Sequence, residues 1–134
     1  MPSPAQLRKV RAAAKAAAGR AYAPYSKFRV GAAVLTATGK IFSGCNVENA
    51  SYGLCNCAER TAIFSAVAAG ERKFKCVAVY TPTQTATAPC GACRQVIYEF
   101  GPTIRVVSNC DSRDQIDGSI RSLLPAAFGP EDLA

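Results

Sequence analysis

The sequence predicts an α/β fold, a three-layer α/β/α sandwich built around one mixed sheet. Segments with helical periodicity alternate with apolar, strand-like segments along the 134 residues. A helix and a hairpin of two strands come first, and two helix–strand units follow, an order that predicts helices on both faces of one sheet. Neither a repeat nor a linker divides the chain, so we expect a single domain over residues 1–134.

The first helix has a clearly marked beginning. Ser3 at the N-cap, Pro4 in the first turn and Gln6 three residues after the serine form a capping-box pattern. The alanine-rich segment that follows favours a helix as far as Gly19. The buried stripe of this helix is predicted to contain Leu7, Val10, Ala14 and Ala17.

A β-hairpin is predicted next, after a loop held by Pro24. Phe28 to Leu35 and Lys40 to Val47 have the composition of strands, and Thr38-Gly39 supplies the turn between them. The segment from Glu48 to Asn56 is polar and contains a glycine, so we expect a loop.

Helices and strands alternate in the second half of the chain. Apolar residues recur with helical spacing from Cys57 to Ala69, and Gly70 follows as a C-cap. Lys75 to Thr81 is a continuous apolar strand of the kind that is buried on both faces. Then come a helix over Cys90 to Phe100 closed by Gly101, a strand over Ile104 to Ser108, a short last strand over Gln115 to Leu123, and a tail from Pro125.

Composition and charge limit the classes of function that this protein can have. Apolar residues make up 49% of the chain, and no apolar run approaches the roughly 20 residues of a membrane helix. The absence of histidine excludes a Ser-His or Cys-His nucleophile pair. The formal charge of +7 attracts anions, but the basic residues are scattered without interleaved aromatics. We therefore expect a solvated basic surface and no stable nucleic-acid partner.

The cysteines and the N-terminus bear on location. Seven cysteines, an odd number, are expected to be reduced thiols in the cytoplasm and not a secreted disulfide framework. The alanine-rich N-terminus lacks the apolar core of a signal peptide because four basic residues interrupt it. An ordinary first helix is favoured over an organellar transit peptide.

Four residues carry the predicted chemistry. Cys57 opens one helix, and Cys90 and Cys93 open another, so that three sulfurs lie at helix N-termini, where partial positive charge favours thiolate. Three thiolates can hold Zn²⁺ and leave a fourth position for water. Glu59, two residues after Cys57, is expected to face that position and to move protons. The pattern predicts an open catalytic zinc site that acts on a small ring substrate.

Other interpretations of these residues remain open. Cys55 or Cys110 as a fourth ligand would close a structural zinc site, of the kind used by nucleic-acid-binding modules. A lone Cys-x-x-Cys also suits a redox pair. Glu59 in a first helical turn would be explained by the helix dipole alone. Without a metal role, Cys55 is expected to pack as a small apolar residue.

The predicted ligand set raises a charge problem. Zn²⁺ with three thiolates carries a net charge of −1, which weakens its effect on the pKa of water, so donors to the sulfurs are needed. Arg60 is the favoured donor, with an ordinary surface arginine as the alternative. Arg94 and Gln95 lie beside another ligand and are further candidates.

Two longer motifs surround these residues. Cys57-Ala58-Glu59-Arg60-Thr61-Ala62 and Pro89-Cys90-Gly91-Ala92-Cys93-Arg94-Gln95-Val96 closely resemble segments of the small, tetrameric cytidine deaminases. The segments Tyr25–Phe28, Gly44–Gly53 and Leu123–Phe128 are also similar to motifs of that family. The resemblance covers most of the chain, from Tyr22 to Leu133.

The resemblance implies a fold, an activity and a cofactor. It implies a cytidine deaminase-like sandwich with one Zn²⁺ per subunit. The implied reaction, part of pyrimidine salvage, converts cytidine and 2′-deoxycytidine to uridine and 2′-deoxyuridine with release of ammonia. A related deaminase that acts on another amine-bearing nucleoside is the alternative.

The resemblance also implies roles for individual residues. Asn46 and Glu48 would bond the ribose hydroxyls, Phe28 would stack on the pyrimidine, and Ala58 and Cys90 would offer backbone groups to the base. In this family the sites of a homotetramer are completed by neighbouring subunits. This implies that Ala50, Tyr52 and Phe128 reach across an interface.

Overall fold

The computed structural model describes residues 1–134, and its first element is the helix α1, Pro4–Ala18. The predicted capping box is confirmed, because the Gln6 N–H donates to Ser3 Oγ at 3.1 Å and the Ser3 N–H donates to Gln6 Oε1 at 2.9 Å. Gly19 is the C-cap, as expected, but it keeps a right-handed φ of −65°. The helix therefore ends without the left-handed turn that favours glycine.

Five strands form one mixed sheet in the order β2-β1-β3-β4-β5. Their bounds are β1 Gly31–Thr36, β2 Ile41–Cys45, β3 Phe74–Tyr80, β4 Arg105–Asn109 and β5 Gln115–Ser119. β1 pairs antiparallel with β2 and with β3, β3 and β4 are parallel, and β5 returns antiparallel to β4. The predicted hairpin and the mixed sheet are confirmed.

Phe28 lies before β1, although the sequence predicts a strand that starts at this residue. The Phe28 N–H donates to Ser26 Oγ at 3.0 Å, and its carbonyl accepts from Asn46 Nδ2 at 2.8 Å. Polar side chains thus take the place of a partner strand. The Phe28 side chain consequently lines a cavity beyond the end of the strand.

The helices α2, Ala58–Ala68, and α3, Gly91–Glu99, follow the predicted ranges closely. Each begins one residue after a cysteine N-cap, Cys57 for α2 and Cys90 for α3. Gly70 at φ +95° and Gly101 at φ +144° follow these helices in conformations that favour glycine. No helix in the structure combines the length and the apolarity that a membrane crossing requires.

The segment after β4 differs from its prediction. β5 ends at Ser119, whose Oγ accepts from the Ser122 N–H at 3.2 Å and caps a short helix α4, Ile120–Leu123. A strand over the whole of 115–123 is therefore wrong, because the serine cap stabilises a helical turn in its second half. The expected loop and tail each contain a single 3₁₀ turn, at Tyr52–Leu54 and Pro130–Asp132.

Helices cover both faces of the sheet, as the three-layer prediction requires. On one face α1 packs against β1, β2 and β3, and the core there contains the buried side chains of Val10, Ala14, Ala18, Leu35, Cys76 and Val107. On the other face α2 and α3 enclose the larger core, which contains Ala62, Ile63, Ile97, Val34, Val77 and Val106. In the predicted α1 stripe only Leu7 is half-buried, since it lies at the edge of the first core.

Two strand glycines allow the helices to approach the sheet closely. A Cβ atom on Gly31 would lie 1.9 Å from the Ala14 carbonyl oxygen of α1, and one on Gly44 would lie 2.4 Å from the Ala62 nitrogen of α2. Neither distance is compatible with a side chain. The position of α2, and of the residues at its N-terminus, therefore depends on the absence of a side chain at Gly44.

Candidate metal centre and active site

Three cysteine sulfurs meet where the N-termini of α2 and α3 come together. Cys57 and Cys90 are the N-caps of these helices, and Cys93 lies in the first turn of α3. The three Sγ atoms all lie within 4.8 Å of one another, and those of Cys57 and Cys90 are 3.7 Å apart. The structure thus brings together cysteines that the sequence separates by 33 positions.

This geometry fits zinc. Tetrahedral Zn²⁺ with Zn–S bonds of about 2.3 Å places its sulfur ligands about 3.8 Å apart. The Cys57–Cys90 distance of 3.7 Å matches that spacing. A set of three thiolates is also the donor chemistry that suits zinc among the common divalent metals.

The cluster contains no fourth cysteine. The Cys55 sulfur accepts from the Asn49 N–H at 3.3 Å, and the Cys110 sulfur lies 3.3 Å from the Ser112 hydroxyl. Neither belongs to the group of sulfurs that could share a metal ion. A closed four-cysteine structural site therefore does not form in this chain.

Hydrogen bonds and charge stabilise the thiolate form of Cys57, whereas the hydrogen bond with Cys57 and burial raise the pKa of Cys93. Arg60 donates to Cys57 Sγ at 3.2 Å, and the Cys93 N–H donates to Cys90 Sγ at 3.4 Å. Hydrogen bonding from the Cys93 thiol, and then from Arg60, lowers the pKa of Cys57 below its usual range against the opposing effect of burial. The expected contact of Arg60 with a sulfur ligand is present.

Glu59 lies in the first turn of α2, next to the sulfurs. Its side chain lines the cavity, although the residue is only 4% exposed. Burial raises the pKa of this carboxyl to about 6, and the nearby Cys57 thiolate adds to the rise. A carboxyl with a pKa near neutrality can both accept and donate a proton, which suits a general acid–base catalyst.

A cavity of about 220 Å³ opens beside the sulfurs and Glu59. Its wall includes seven residues predicted from the sequence, namely Phe28, Asn46, Glu48, Cys57, Ala58, Glu59 and Cys90. Sequence reasoning missed the roles of Ser26, Val30, Val79, Thr87 and Ala88 in the same wall. Of these five residues, only Ser26 could have been found from the sequence, because it lies within the Tyr25–Phe28 motif.

Asn46 and Glu48 follow β2 and bind the loop that precedes β1. Asn46 Oδ1 accepts from the Val30 N–H at 2.9 Å, while its amide donates to the Phe28 carbonyl. Glu48 Oε1 accepts from the Tyr25 and Ser26 N–H groups at 3.0 and 3.1 Å. Both polar side chains therefore hold the Phe28 loop as well as facing the cavity.

Comparison with known proteins identifies the family. The family model described as "Cytidine and deoxycytidylate deaminase zinc-binding region" matches residues 4–110. A cytidine deaminase of Sporosarcina psychrophila is 48% identical over 129 residues, which cover 96% of this chain and 95% of the relative. The chain belongs to the cytidine deaminase family.

Solved structures agree with this assignment. The crystal structure of a cytidine deaminase from Burkholderia pseudomallei has a TM-score of 0.87 and 58% identity, and the match covers 90% of this chain and 98% of that one. A cytidine deaminase from Mycobacterium tuberculosis gives a TM-score of 0.79 at 38% identity, with 92% and 97% covered. The cytidine deaminase-like α/β fold is therefore confirmed, and the chain is a hydrolytic deaminase.

The residues expected to serve a neighbouring cytidine deaminase subunit lie on the surface. Tyr52 is 74% exposed and Phe128 is 58% exposed, and Ala50 is exposed as well. None of the three lines the 220 Å³ cavity of its own chain. The Tyr52 ring lies 5.9 Å from that of Tyr25, at a second hollow that adjoins Glu48.

Arg94 and Gln95 differ from expectation, because their hydrogen bonds do not go to the sulfurs. Arg94 donates to the carbonyls of Pro89 at 2.8 Å and Leu123 at 2.7 Å. Gln95 donates to the Phe128 carbonyl at 2.7 Å. Both side chains thus tie the start of α3 to the C-terminal segment.

Proposed function

We propose that this chain deaminates cytidine and 2′-deoxycytidine to uridine and 2′-deoxyuridine, releases ammonia, and serves pyrimidine salvage. The observation that carries the proposal is the convergence on one cavity of a three-sulfur cluster, a buried carboxyl of raised pKa and a polar pair suited to a sugar. A cavity of about 220 Å³ suits a small ring substrate and not a folded nucleic acid.

In the proposed mechanism Cys57, Cys90 and Cys93 hold one zinc ion per chain. Bound zinc supplies a Lewis acid that lowers the pKa of water from about 15.7 toward about 7. Glu59 accepts a proton from the attacking water and delivers it to the ring nitrogen beside the amine-bearing carbon. The water oxygen bonds to that carbon, and Glu59 takes the second proton of the former water and passes it to the amine. The carbon–nitrogen bond then breaks, ammonia leaves and the carbonyl of the product forms.

The remaining cavity residues bind and orient the nucleoside. Phe28 stacks on the pyrimidine, and Asn46 and Glu48 bind the hydroxyls of the sugar. The Ala58 N–H, one of the free donors in the first turn of α2, and the backbone of Cys90 bind the polar edge of the base. These contacts hold the reacting carbon next to the sulfur cluster and Glu59.

Assembly and location complete the proposal. We propose a homotetramer in which Ala50, Tyr52 and Phe128 of neighbouring subunits complete each site. Exposed aromatic and apolar side chains support a homotetramer, because such side chains are typical of a protein interface. They include Tyr22, Tyr25, Val47, Tyr52, Leu54, Phe64 and Phe128. All seven cysteines are free, which supports the cytoplasm as the location of this single-domain chain.

A substrate panel on zinc-replete protein tests the proposed function. Cytidine and 2′-deoxycytidine are expected to lose their ultraviolet absorbance with release of one ammonia per turnover, and chelation followed by zinc addition should abolish and restore the activity. Cytosine, cytidine monophosphate and other amine-bearing nucleosides complete the panel. Zinc-loaded protein that leaves cytidine unchanged but converts another nucleoside would contradict the choice of substrate. Inertness toward every nucleoside, with salt-sensitive RNA binding, would favour a nucleic-acid-binding module.

A further inference from the structure

The Glu48 carboxylate is held by three donors from two adjacent residues. The Tyr25 and Ser26 N–H groups donate to Oε1 at 3.0 and 3.1 Å, and the Ser26 hydroxyl donates to Oε2. Hydrogen bonding by Ser26 lowers the pKa of Glu48, so the group is an anion at neutral pH. The carboxylate therefore has a fixed orientation before any ligand arrives.

The direction of the Ser26 hydroxyl bond follows from its other contact. The Phe28 N–H donates to Ser26 Oγ at 3.0 Å and occupies a lone pair of that oxygen. The only hydroxyl proton of Ser26 is then directed to Glu48, which as a carboxylate can only accept. Lys27, between Ser26 and Phe28, has a left-handed φ of +61°, which bends the loop so that this arrangement closes.

Counting acceptor positions limits what Glu48 can still bind. A carboxylate has about four lone-pair positions. Three of them accept from Tyr25 and Ser26. One position on Oε2 is left, and both Glu48 and Ser26 line the cavity. Glu48 held in this way can accept a hydrogen bond from one sugar hydroxyl and not from two.

We propose that Ser26 is a positioning residue whose hydroxyl orients the Glu48 carboxylate, so that Glu48 accepts a hydrogen bond from a single ribose hydroxyl. This inference rests on the proposed function, since it requires a nucleoside in the cavity. Ser26 acts through Glu48 and not on the reacting atoms. Its loss should therefore weaken substrate binding and leave the chemical step nearly intact.

Three single variants measured on cytidine test this role. Ser26→Ala is expected to raise KM by roughly tenfold and to change kcat by less than about threefold, because a charge-assisted hydrogen bond is lost outside the reacting centre. Ser26→Thr keeps the hydroxyl and should recover most of the affinity. Ser43→Ala, which removes an exposed hydroxyl from β2, is the matched control and should behave as wild type. Zinc content and melting temperature are measured on each sample. Because Ser26 is exposed, the Ser26→Ala variant should keep its fold.

A double-mutant cycle with Glu48→Gln distinguishes positioning from general support of the loop. If Ser26 acts through Glu48, adding Ser26→Ala to Glu48→Gln should lower kcat/KM by less than about twofold. An equal loss in both backgrounds would overturn the inference, as would a Ser26→Ala variant with wild-type KM. Should Ser26→Ala lose its fold, a Ser26→Thr variant with a tenfold higher KM and normal melting would also overturn it.

Substrates that lack one hydroxyl test the single-acceptor claim. One of the two substrates 2′-deoxycytidine and 3′-deoxycytidine lacks the hydroxyl that Glu48 binds. The increase in KM caused by Ser26→Ala should disappear with that substrate and persist with the other. Persistence with both would overturn the claim that Glu48 accepts from one ribose hydroxyl. Wild-type protein that does not convert cytidine would overturn the proposed function and this inference with it, whereas an active wild type with an unaffected Ser26→Ala variant overturns this inference alone.

Discussion

Two arginine side chains near the cavity, Arg60 and Arg94, make different kinds of hydrogen bond. Arg60 donates to the sulfur of Cys57 at 3.2 Å, whereas Arg94 donates to two backbone carbonyls. Arg60 extends from α2 back toward its own N-cap, while Arg94 turns toward the C-terminal segment. The sequence places each arginine beside a residue of the predicted site, and the preference for Arg60 as the donor to a sulfur agrees with these contacts.

Replacing Arg60 should affect the metal centre. Arg60→Gln removes a positive charge from the sulfur cluster, so we expect zinc affinity or kcat to fall by roughly 10- to 100-fold. The matched variant Arg94→Gln should leave zinc affinity within a fewfold range and lower the melting temperature instead, because it releases the Leu123 carbonyl. Competition with a chelator and steady-state kinetics measure both. The reverse pattern would show that Arg94 is the residue coupled to the cluster.

Glu59 is the residue on which turnover should depend most. Glu59→Gln keeps the shape of the side chain and removes its proton-transfer function, so kcat should fall by roughly 10²- to 10⁴-fold. Zinc content should stay unchanged, since the three sulfurs are intact. Metal analysis and deamination kinetics on one sample check the pair of outcomes. A variant with wild-type kcat would remove Glu59 from the mechanism.

At the scale of secondary-structure elements, the close packing of α2 against the sheet determines whether the site forms. Gly44 of β2 faces the backbone of α2 at Ala58 and Ala62. The same helix carries Cys57 as its N-cap and Glu59 in its first turn. A displacement of α2 by even an ångström would change the spacing between Cys57 and the two cysteines of α3.

Gly44→Ala should therefore damage both stability and metal binding. The added Cβ would lie 2.4 Å from the Ala62 nitrogen, so the helix must move, and we expect a loss of more than about 2 kcal/mol in the free energy of unfolding together with weaker zinc binding. Gly19→Ala is the control, because its Cβ would have an ordinary 3.4 Å contact and its φ is −65°. Chemical unfolding with and without chelator measures both variants. Equal stability of the two would contradict this account.

The ion pair that joins β4 to β5 should make stability depend on pH. Arg105 donates to both carboxylate oxygens of Asp117, at 2.9 and 2.7 Å, and these hydrogen bonds lower the pKa of Asp117. Because the folded-state pKa lies below the unfolded value of about 3.9, the contribution is fully present above that pH and is lost as pH falls through the folded-state pKa.

Asp117→Asn measures that contribution. At pH 7 the variant should be less stable than wild type by no more than about 1 kcal/mol, since the pair is partly exposed and screened by solvent. The difference should shrink as the pH is lowered below about 4, and it should also shrink at high salt. Unfolding curves at several pH values test the sign. A difference that grows on acidification would be incompatible with the Arg105 contact.

At the scale of the whole molecule, several large aromatic and apolar side chains near the cavity mouth are exposed to solvent. Tyr22, Tyr25, Tyr52 and Leu54 are between 48% and 74% exposed. Their concentration near the second hollow and the Phe28 loop is typical of an interface. The proposed tetramer would bury these side chains and enclose the cavity from the open side.

Sedimentation tests the assembly. The protein should sediment at about four times the 14.0 kDa mass of the chain. Tyr52→Glu places a charge in the proposed interface, so it should lower the mass and the activity together while zinc content is retained. A fully active species of 14.0 kDa would contradict the proposal that neighbouring subunits complete the site.

The sequence alone determined the features that depend on near neighbours along the chain. The Ser3–Gln6 capping box, the bounds of α2 and α3 and the buried strand β3 all follow from hydrogen bonds and periodicities that span a few residues. The same reasoning failed within 115–123, where apolar residues suit a strand or a helix equally and the Ser119 cap decided between them.

Only the tertiary structure decided which distant side chains meet. Cys57 and Cys90 approach to 3.7 Å because α2 rests on Gly44 and β3 returns the chain to the start of α3. The partners of Arg94 and Gln95, and the hydrogen bonds of Ser26 to Glu48, were equally beyond the reach of spacing rules. A side chain bonds to whatever packing places within about 3 Å of it. That distance is set by how the layers pack and not by separation along the chain.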